Sequence, residues 1–299
     1  MEAAVAAGQA RVESAVVTTL GSMRWRHPWP KLKRAISAPF QTLWRNRRLT
    51  AAMVRREIAA RYRGSLGDAL WTLLHPLLLM LTYFFVFGIV LQARFGDDPS
   101  RAGFVLYFLA GMLPWLPMSE ALGRAPIILI ENRNFVKKLL FPVETLPINP
   151  VFAGLVTQGF ALAIFLALLI ATRGAVPLTI LYLPAFLIPQ LLLTMGACWF
   201  LSALGVYLRD LGQIIGFALT LVFFLTPICY PESALPAWAI AILSRGPVFI
   251  LVRGYRAILL EASAPALVPL AALWASALLI FLAGHVWFSR LRRSFPDVM

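Results

Sequence analysis

Arginine side chains crowd one stretch of the sequence, residues 40–63, where their guanidinium groups could bind phosphate. The candidate phosphate-binding residues are Arg55, Arg56, Arg61 and Arg63. A planar guanidinium presents a fork of donors that matches a phosphate group. Val54, Ile58 and Tyr62 recur every four residues, so they share one helix face that arginines flank. We therefore expect an amphipathic helix over 40–63 lying on the membrane surface, with an ordinary basic juxtamembrane stretch as the alternative.

A second charged stretch, residues 124–146, mixes aliphatic side chains with charges of both signs. Its charged residues include Glu131, Arg133, Lys137, Lys138 and Glu144. The stretch is longer than the roughly 2–8 residues that usually join packed helices. We expect a short helix with one polar face, suited to docking a soluble partner.

Aromatic side chains offer a third possibility, a surface on which sugar rings can stack. They are concentrated in two apolar stretches and include Trp71, Tyr83, Phe84, Phe87, Phe217, Phe224 and Tyr230. Rings with few charges nearby would let a neutral or variably charged glycan slide without being trapped. Lipid contact and packing are the alternative interpretation, which accounts for most aromatic residues in membrane proteins.

Catalytic and nucleotide-binding motifs are missing from this sequence. No glycine is followed by lysine, so the chain lacks the phosphate-binding loop of P-loop ATPases. Cys198 and Cys229 fall inside apolar runs and give neither a disulfide framework nor metal-ligand spacing. His75 and His285 are isolated, which favours packing over a proton relay. We expect no enzyme activity, no metal site and no cofactor bound by this chain.

The elements that position these groups are membrane spans. Of the 299 residues, 60% are hydrophobic and 13% are charged, with a mean hydropathy of +0.79. A soluble domain of this size has too few charges to cover so much apolar surface. A helix crosses a bilayer with about 20 apolar residues. We expect an all-α integral membrane protein with six spans, at about 70–93, 104–123, 147–171, 178–207, 213–230 and 266–288.

Basic residues predict the orientation of these spans. With the N-terminus in the cytoplasm, 21 of the 27 Lys and Arg residues fall on the inner side. This bias is what the positive-inside rule requires of a protein with both termini cytoplasmic. The net charge of +14 does not indicate nucleic acid, because the basic residues lie beside hydrophobic segments. We expect residues 1–38 to be a poorly ordered cytoplasmic tail and residues 39–299 to form the membrane domain.

Residues 231–264, between the fifth and sixth spans, are too apolar for a plain loop. Pro236, Gly246 and Pro247 interrupt them, leaving pieces of about 10–14 residues that suit re-entrant helices. Irregular backbone at membrane depth is tolerated where protein shields it or where it lines a cavity. The segment therefore predicts gate helices on the outer face.

Three strings of the sequence resemble the membrane subunit of bacterial polysaccharide exporters of the ABC type-2 class. The strings are RREIAARYRGSLGDALWTLLHPLLLMLTYFFVFGIVL (55–91), ENRNFVKKLLFPVETLP (131–147) and YLRDLGQIIGFALTLVFFLTPICYP (207–231). They occur in the family's order, and the resemblance extends over residues 40–297. The class exports O-antigen, capsule or teichoic-acid chains.

The resemblance implies a homodimer of six-span subunits, each docked on a separately encoded subunit that binds ATP and Mg. Residues 131–140 would form the coupling helix, with contacts at Glu131, Arg133, Phe135, Lys137 and Lys138. The conduit would lie between the protomers, lined by the first and fifth spans. The cargo would be a lipid-linked polysaccharide, whose undecaprenyl pyrophosphate end enters near the basic helix 40–63 and leaves the cytoplasmic leaflet of the bacterial inner membrane.

Other functions share parts of this pattern. An ABC type-2 permease that exports drugs or small lipids has the same topology and is the alternative function. A membrane glycosyl- or acyltransferase would need clustered acidic or histidine residues at one membrane face, and the sequence shows none. A membrane scaffold would leave residues 124–146 and 231–264 without a role.

Overall fold

The computed structural model describes residues 39–41, 44–62, 101–137 and 141–298, together with a few isolated positions between 74 and 90. Every regular element among these residues is helical. The predictions for the tail 1–38 and for most of the first span, 70–93, fall outside the described residues.

The helices are numbered here in chain order. They are α1 (Arg47–Tyr62), α2 (Arg101–Arg124), α3 (Ile128–Glu131), α4 (Arg133–Val136), α5 (Asn149–Arg173), α6 (Leu183–Gly205), α7 (Leu211–Leu225), α8 (Ala237–Leu243), α9 (Pro247–Leu259), α10 (Leu267–Leu291) and α11 (Phe295–Val298). Short 3-10 helices at Val143–Ile148 and Leu178–Tyr182 lead directly into α5 and α6.

Four helices are long and apolar enough to cross a membrane: α2, α5, α6 and α10. They correspond to the predicted second, third, fourth and sixth spans. A lipid environment favours such helices because every backbone N–H and C=O is satisfied within the helix itself. The structure therefore confirms an all-helical membrane protein, with four or five candidate spans among the described residues.

The helix of the predicted fifth span is shorter than the sequence indicated. α7 has 15 residues and ends at Leu225, although the apolar run continues to Tyr230. The chain turns extended at Thr226 (φ −85°, ψ 132°), the residue before Pro227. A proline disfavours helical backbone in the residue before it, which explains the early end. The total of six membrane spans stays a prediction.

The predicted gate segment contains α8 and α9, which meet at an angle of 97°. We call these two helices the bent pair. Gly246 precedes α9 in extended conformation, and Pro247 begins the helix, where its missing N–H costs nothing. Taken together the pair is apolar enough for one broken span or one re-entrant loop.

The centre of the bundle is the contact between α6 and α10, the most extensive helix pair among the described residues. The two backbones touch at Gly196 and Gly284, where a side-chain carbon on either residue would collide with the other helix. Trp199 is fully buried beside this contact, with its ring 5.2 Å from that of Phe281. Small residues allow such close approach, which drives helix association in lipid by packing alone.

A closed polar network fastens the bent pair to this bundle. The hydroxyl of Tyr255 on α9 donates to Gln190 Oε1 at 2.7 Å and accepts from Gln158 Nε2 at 3.0 Å. Gln190 Nε2 in turn donates to Gln158 Oε1 at 3.0 Å. All three side chains are buried, so the partners remove the cost of placing polar groups in an apolar interior.

Candidate coupling and gate sites

The predicted docking stretch, residues 124–146, is called the coupling segment here, and its first part contains two single helical turns, α3 and α4. α3 and α4 are separated by Asn132, whose Nδ2 donates to the carbonyl of Ile128 at 2.9 Å and closes the first turn. Ile128, Leu129 and Val136 are buried against the bundle. The side of the segment away from the bundle carries charged residues together with two exposed aliphatic ones, Ile127 and Ile130.

Several predicted docking residues lie on the side of the coupling segment that faces away from the bundle. Glu131, Arg133 and Lys137 are exposed, while Phe135 is half-buried with its ring 5.0 Å from Phe141. Lys138 lies outside the described residues. The exposed charges of both signs can meet complementary charges on a soluble partner.

Arg124, the last residue of α2, joins this segment to α1. Its guanidinium forms one ion pair with Glu57 of α1 and a second with Glu131 of α3, the latter at 3.3 Å. The three side chains border a cleft of about 180 Å³. One cation therefore contacts carboxylates on two different elements, α1 and α3.

The structure describes the side chains of two of the four predicted phosphate-binding arginines. Arg55 and Arg56 are both exposed, but Arg56 lies over the ring of Phe135, with its guanidinium carbon 5.8 Å from the ring centre. Arg61 belongs to α1 without a described side chain, and Arg63 lies outside the described residues. The structure therefore brings Arg56 to the coupling segment and leaves Arg55 facing outward.

Sequence reasoning missed Glu57 and Arg124 as a pair. One signal was available, because Glu57 is the only acidic residue within the arginine-rich stretch 40–63. A lone carboxylate among so many guanidinium groups indicates a specific ion pair. Its partner is 67 residues away along the chain, so the spacing could not identify it.

The second half of the coupling segment is held from the C-terminal side. Glu144 is buried and forms an ion pair with Arg292, and its carbonyl accepts a hydrogen bond from Trp199 Nε1 at 2.9 Å. The hydroxyls of Tyr207 and Ser294 lie 2.6 Å apart at the same end of the bundle. The coupling segment is therefore braced by α6 and by the residues that follow α10.

Only part of the predicted aromatic conduit falls within the described residues. Phe217 and Phe224 are exposed on α7 and share one face with Ile214 and Leu221. The hydroxyl of Tyr230 donates to the carbonyl of Phe224 at 2.7 Å. Trp71, Tyr83, Phe84 and Phe87 lie outside the described residues. The aromatic conduit formed by the two sets stays a prediction.

Arg256 is one of the six basic residues that the charge count placed in the outer connections, here within the predicted gate segment 231–264. Arg256 belongs to α9 and is 2% exposed, with its side chain inside the bundle. Arg253, one turn earlier, is exposed and pairs with Glu232 at 3.0 Å. An arginine between apolar residues reads as a loop residue by composition, and only the tertiary contacts distinguish it.

Substitution of Arg124 by glutamine tests the link between α1 and the coupling segment. The ion pairs are partly exposed, so we expect a loss of about 1 kcal/mol of local stability and an increase of about fivefold in the rate at which trypsin cleaves α1. The measurement is limited proteolysis of the purified protein in detergent.

The control for this experiment is Arg133→Gln, because Arg133 is exposed and forms no ion pair with any described residue. It removes one tryptic site but leaves the link intact. Equal cleavage of α1 in both variants would contradict a role for Arg124 in holding α1.

Comparisons with known proteins agree with this architecture. Residues 48–260 match the family model described as ABC-2 type transporter. The chain is 31% identical over 257 residues to the O-antigen export system permease protein RfbA of Myxococcus xanthus, covering 85% of this chain and 96% of that relative. It is 21% identical over 252 residues to a protein of the same name from Klebsiella pneumoniae, covering 84% and 95%.

The family match spans nearly all of α1, the coupling segment, α7 and the bent pair. The match to the Myxococcus relative extends over nearly the whole length of that relative. This chain is a membrane subunit of the ABC-2 type transporter family.

Proposed function

We propose that the chain is the permease subunit of an ATP-driven exporter that moves a lipid-linked polysaccharide, such as O-antigen or capsule, across the bacterial inner membrane. The observation that carries the proposal is the match to relatives named as O-antigen export permeases over 95–96% of their length. A permease of this kind works as a homodimer with two ATPase subunits, and both termini of each chain face the cytoplasm.

ATP binding and transport are assigned to different subunits of this exporter. It has no glycine followed by lysine, so ATP and Mg bind to the partner ATPase. The partner docks on the exposed side of α3 and α4. The contacts are Glu131, Arg133, Phe135, Lys137 and Lys138. Nucleotide-driven closure of the ATPases moves these turns, and Arg124 passes the movement to α1.

The cargo route uses the two ends of the membrane domain. The pyrophosphate of the lipid carrier is attracted to the arginines of the surface helix, Arg55, Arg56, Arg61 and Arg63, through charge-assisted hydrogen bonds. The glycan then follows a conduit between the two protomers, where the exposed rings of Phe217 and Phe224 offer stacking surfaces. The bent pair forms the gate on the outer side.

The test is co-expression of this chain with its ATPase, followed by purification of the complex and gel analysis of surface glycan in the producing strain. We expect the two proteins to co-purify, and deletion of this chain to remove the surface glycan. The double variant Arg133→Glu, Lys137→Glu reverses two exposed docking charges and is expected to lower co-purification by about tenfold or more.

The matched control is Arg209→Glu, which reverses an exposed charge in the turn between α6 and α7. It should leave co-purification unchanged. Failure of the wild-type chain to bind any ATPase would overturn the proposal. A deletion strain with normal surface glycan and broad drug sensitivity would instead favour export of drugs or small lipids.

A further inference from the structure

Arg256 carries a guanidinium group buried inside a membrane domain, 2% exposed, with no carboxylate paired to it among the described residues. A charge in this position is expensive unless several polar groups replace its water. Arginine at such a place marks a functional element more often than a packing element.

Backbone carbonyls replace the lost water. The guanidinium donates to the carbonyl of Pro227 at 2.6 Å, to that of Ile228 at 2.9 Å and to that of Tyr107 at 3.2 Å. Its central carbon also lies 3.5 Å from the centre of the Tyr107 ring, in cation–π geometry. All these acceptors are uncharged, so the arrangement is specific without being a salt bridge.

Two of the three carbonyls belong to the irregular backbone that follows α7. Residues after Leu225 have left the helix, so the carbonyls of Pro227 and Ile228 have no intrahelical partner. At membrane depth an unpaired carbonyl costs several kcal/mol. Arg256 therefore supplies hydrogen-bond donors to the carbonyls that the early end of α7 leaves without helical partners.

The same side chain joins three parts of the bundle. Arg256 belongs to α9, Tyr107 belongs to α2, and Pro227 follows α7. α2 leaves room for the guanidinium at Gly111, where an added side-chain carbon would lie 2.8 Å from Nη2 of Arg256. Tyr255, the preceding residue, hydrogen-bonds to Gln158 of α5 and Gln190 of α6. One side of α9 is therefore fixed to the bundle, while Arg256 binds the backbone that follows α7.

We propose that Arg256 is the latch of the outer gate. Its hydrogen bonds hold the irregular end of α7 closed against α9, and each opening of the export route breaks the bonds to Pro227 and Ile228. This role rests on the proposed function, because only a transporter needs this joint to open. Arg256 is thus a positioning residue, which acts on the cargo route through the backbone of residues 226–230.

The chain contains a built-in reporter for this latch. Cys229 follows Ile228 directly and is 3% exposed, so a thiol reagent reaches it only when the turn opens. Cys198 is 0% exposed within α6 and reports on the integrity of the bundle. These are the two cysteines of the sequence, so no engineered label is needed.

The experiment measures maleimide labelling of the permease–ATPase complex in proteoliposomes, with the modified cysteine located by mass spectrometry. We expect Arg256→Gln without ATP to raise the labelling rate of Cys229 by about tenfold, which corresponds to the loss of two or three buried hydrogen bonds in a membrane. Cys198 should stay unlabelled. Arg256→Lys keeps the charge and fewer donors, so it should fall between wild type and glutamine.

The matched control is Arg253→Gln on the same helix, which removes an exposed guanidinium paired with Glu232. It should leave Cys229 labelling at the wild-type rate. Equal labelling of Cys229 in Arg256→Gln and wild type would overturn the latch. Labelling of both cysteines would also overturn it, since Arg256 would then hold the whole fold.

Failure of the latch and failure of the exporter assignment are distinguishable. Labelling of Cys229 does not depend on the identity of the cargo. Binding of the ATPase by the wild-type chain, and loss of surface glycan when the chain is deleted, test the exporter assignment without reference to this turn. A wild-type complex in which ATP accelerates labelling of Cys229 alone would support the latch directly.

Discussion

Gly284→Ala is expected to prevent the central helix pair from closing. A methyl group at this position would lie 2.7 Å from the carbonyl carbon of Gly196, and closer still to its oxygen. Both obstructing atoms are backbone, so no side chain can move aside and the helices must separate. Overpacking of this kind costs about 1–3 kcal/mol where side chains can yield, and more where backbones meet.

Thermal unfolding of the detergent-solubilised protein measures this effect. We expect a fall in Tm of about 5 °C or more for Gly284→Ala, together with low yield of folded protein. The control is Gly159→Ala in α5, where the added carbon meets nothing within 4 Å. That change should be neutral or slightly stabilising, because alanine is a better helix former than glycine. An unchanged Tm for Gly284→Ala would contradict the packing described.

Gly205→Ala is expected to damage transport more than stability. Gly205 ends α6 where the backbone of Pro126 crosses it, and an added carbon would lie 2.7 Å from the Pro126 carbonyl carbon. Pro126 leads into α3, the first turn of the coupling segment. The methyl group therefore pushes the docking surface away from the bundle, while the rest of α6 can keep its packing.

The measurement compares ATP-driven export and co-purification of the ATPase. We expect export to fall by about tenfold or more, since a misplacement that costs about 1.4 kcal/mol of docking is a tenfold loss. Gly216→Ala in α7, where the added carbon meets nothing within 4 Å, is the control and should export normally. Full export by Gly205→Ala would show that the position of Pro126 does not matter for coupling.

Local composition was enough to predict the apolar helices of this fold. Four of the predicted spans became α2, α5, α6 and α10, because a run of apolar residues in lipid has helix as its main solution. The mixed composition of 124–146 produced the short helices α3 and α4, whose exposed residues include charges as well as Ile130. A helix, α1, forms inside the predicted range 40–63, and its position on the membrane surface stays a prediction.

Features that depend on distant contacts escaped the sequence. Arg256 finds its acceptors 28 to 149 residues away, and nothing in its neighbourhood separates a buried guanidinium from one in a loop. Arg124 was visible as a basic residue, but its attachment to Glu57 depends on how α1 packs. The early end of α7 could have been predicted from the sequence, because Thr226 precedes a proline.

The shortness of α7 has a consequence for how this part of the chain can cross a bilayer. Fifteen residues rise about 22 Å, whereas the hydrocarbon layer is about 30 Å thick. A span built on α7 therefore leaves about 8 Å of that layer to the irregular backbone of residues 226–230. Such backbone is tolerated at membrane depth only where protein shields it, and the hydrogen bonds of Arg256 to Pro227 and Ile228 supply that shielding.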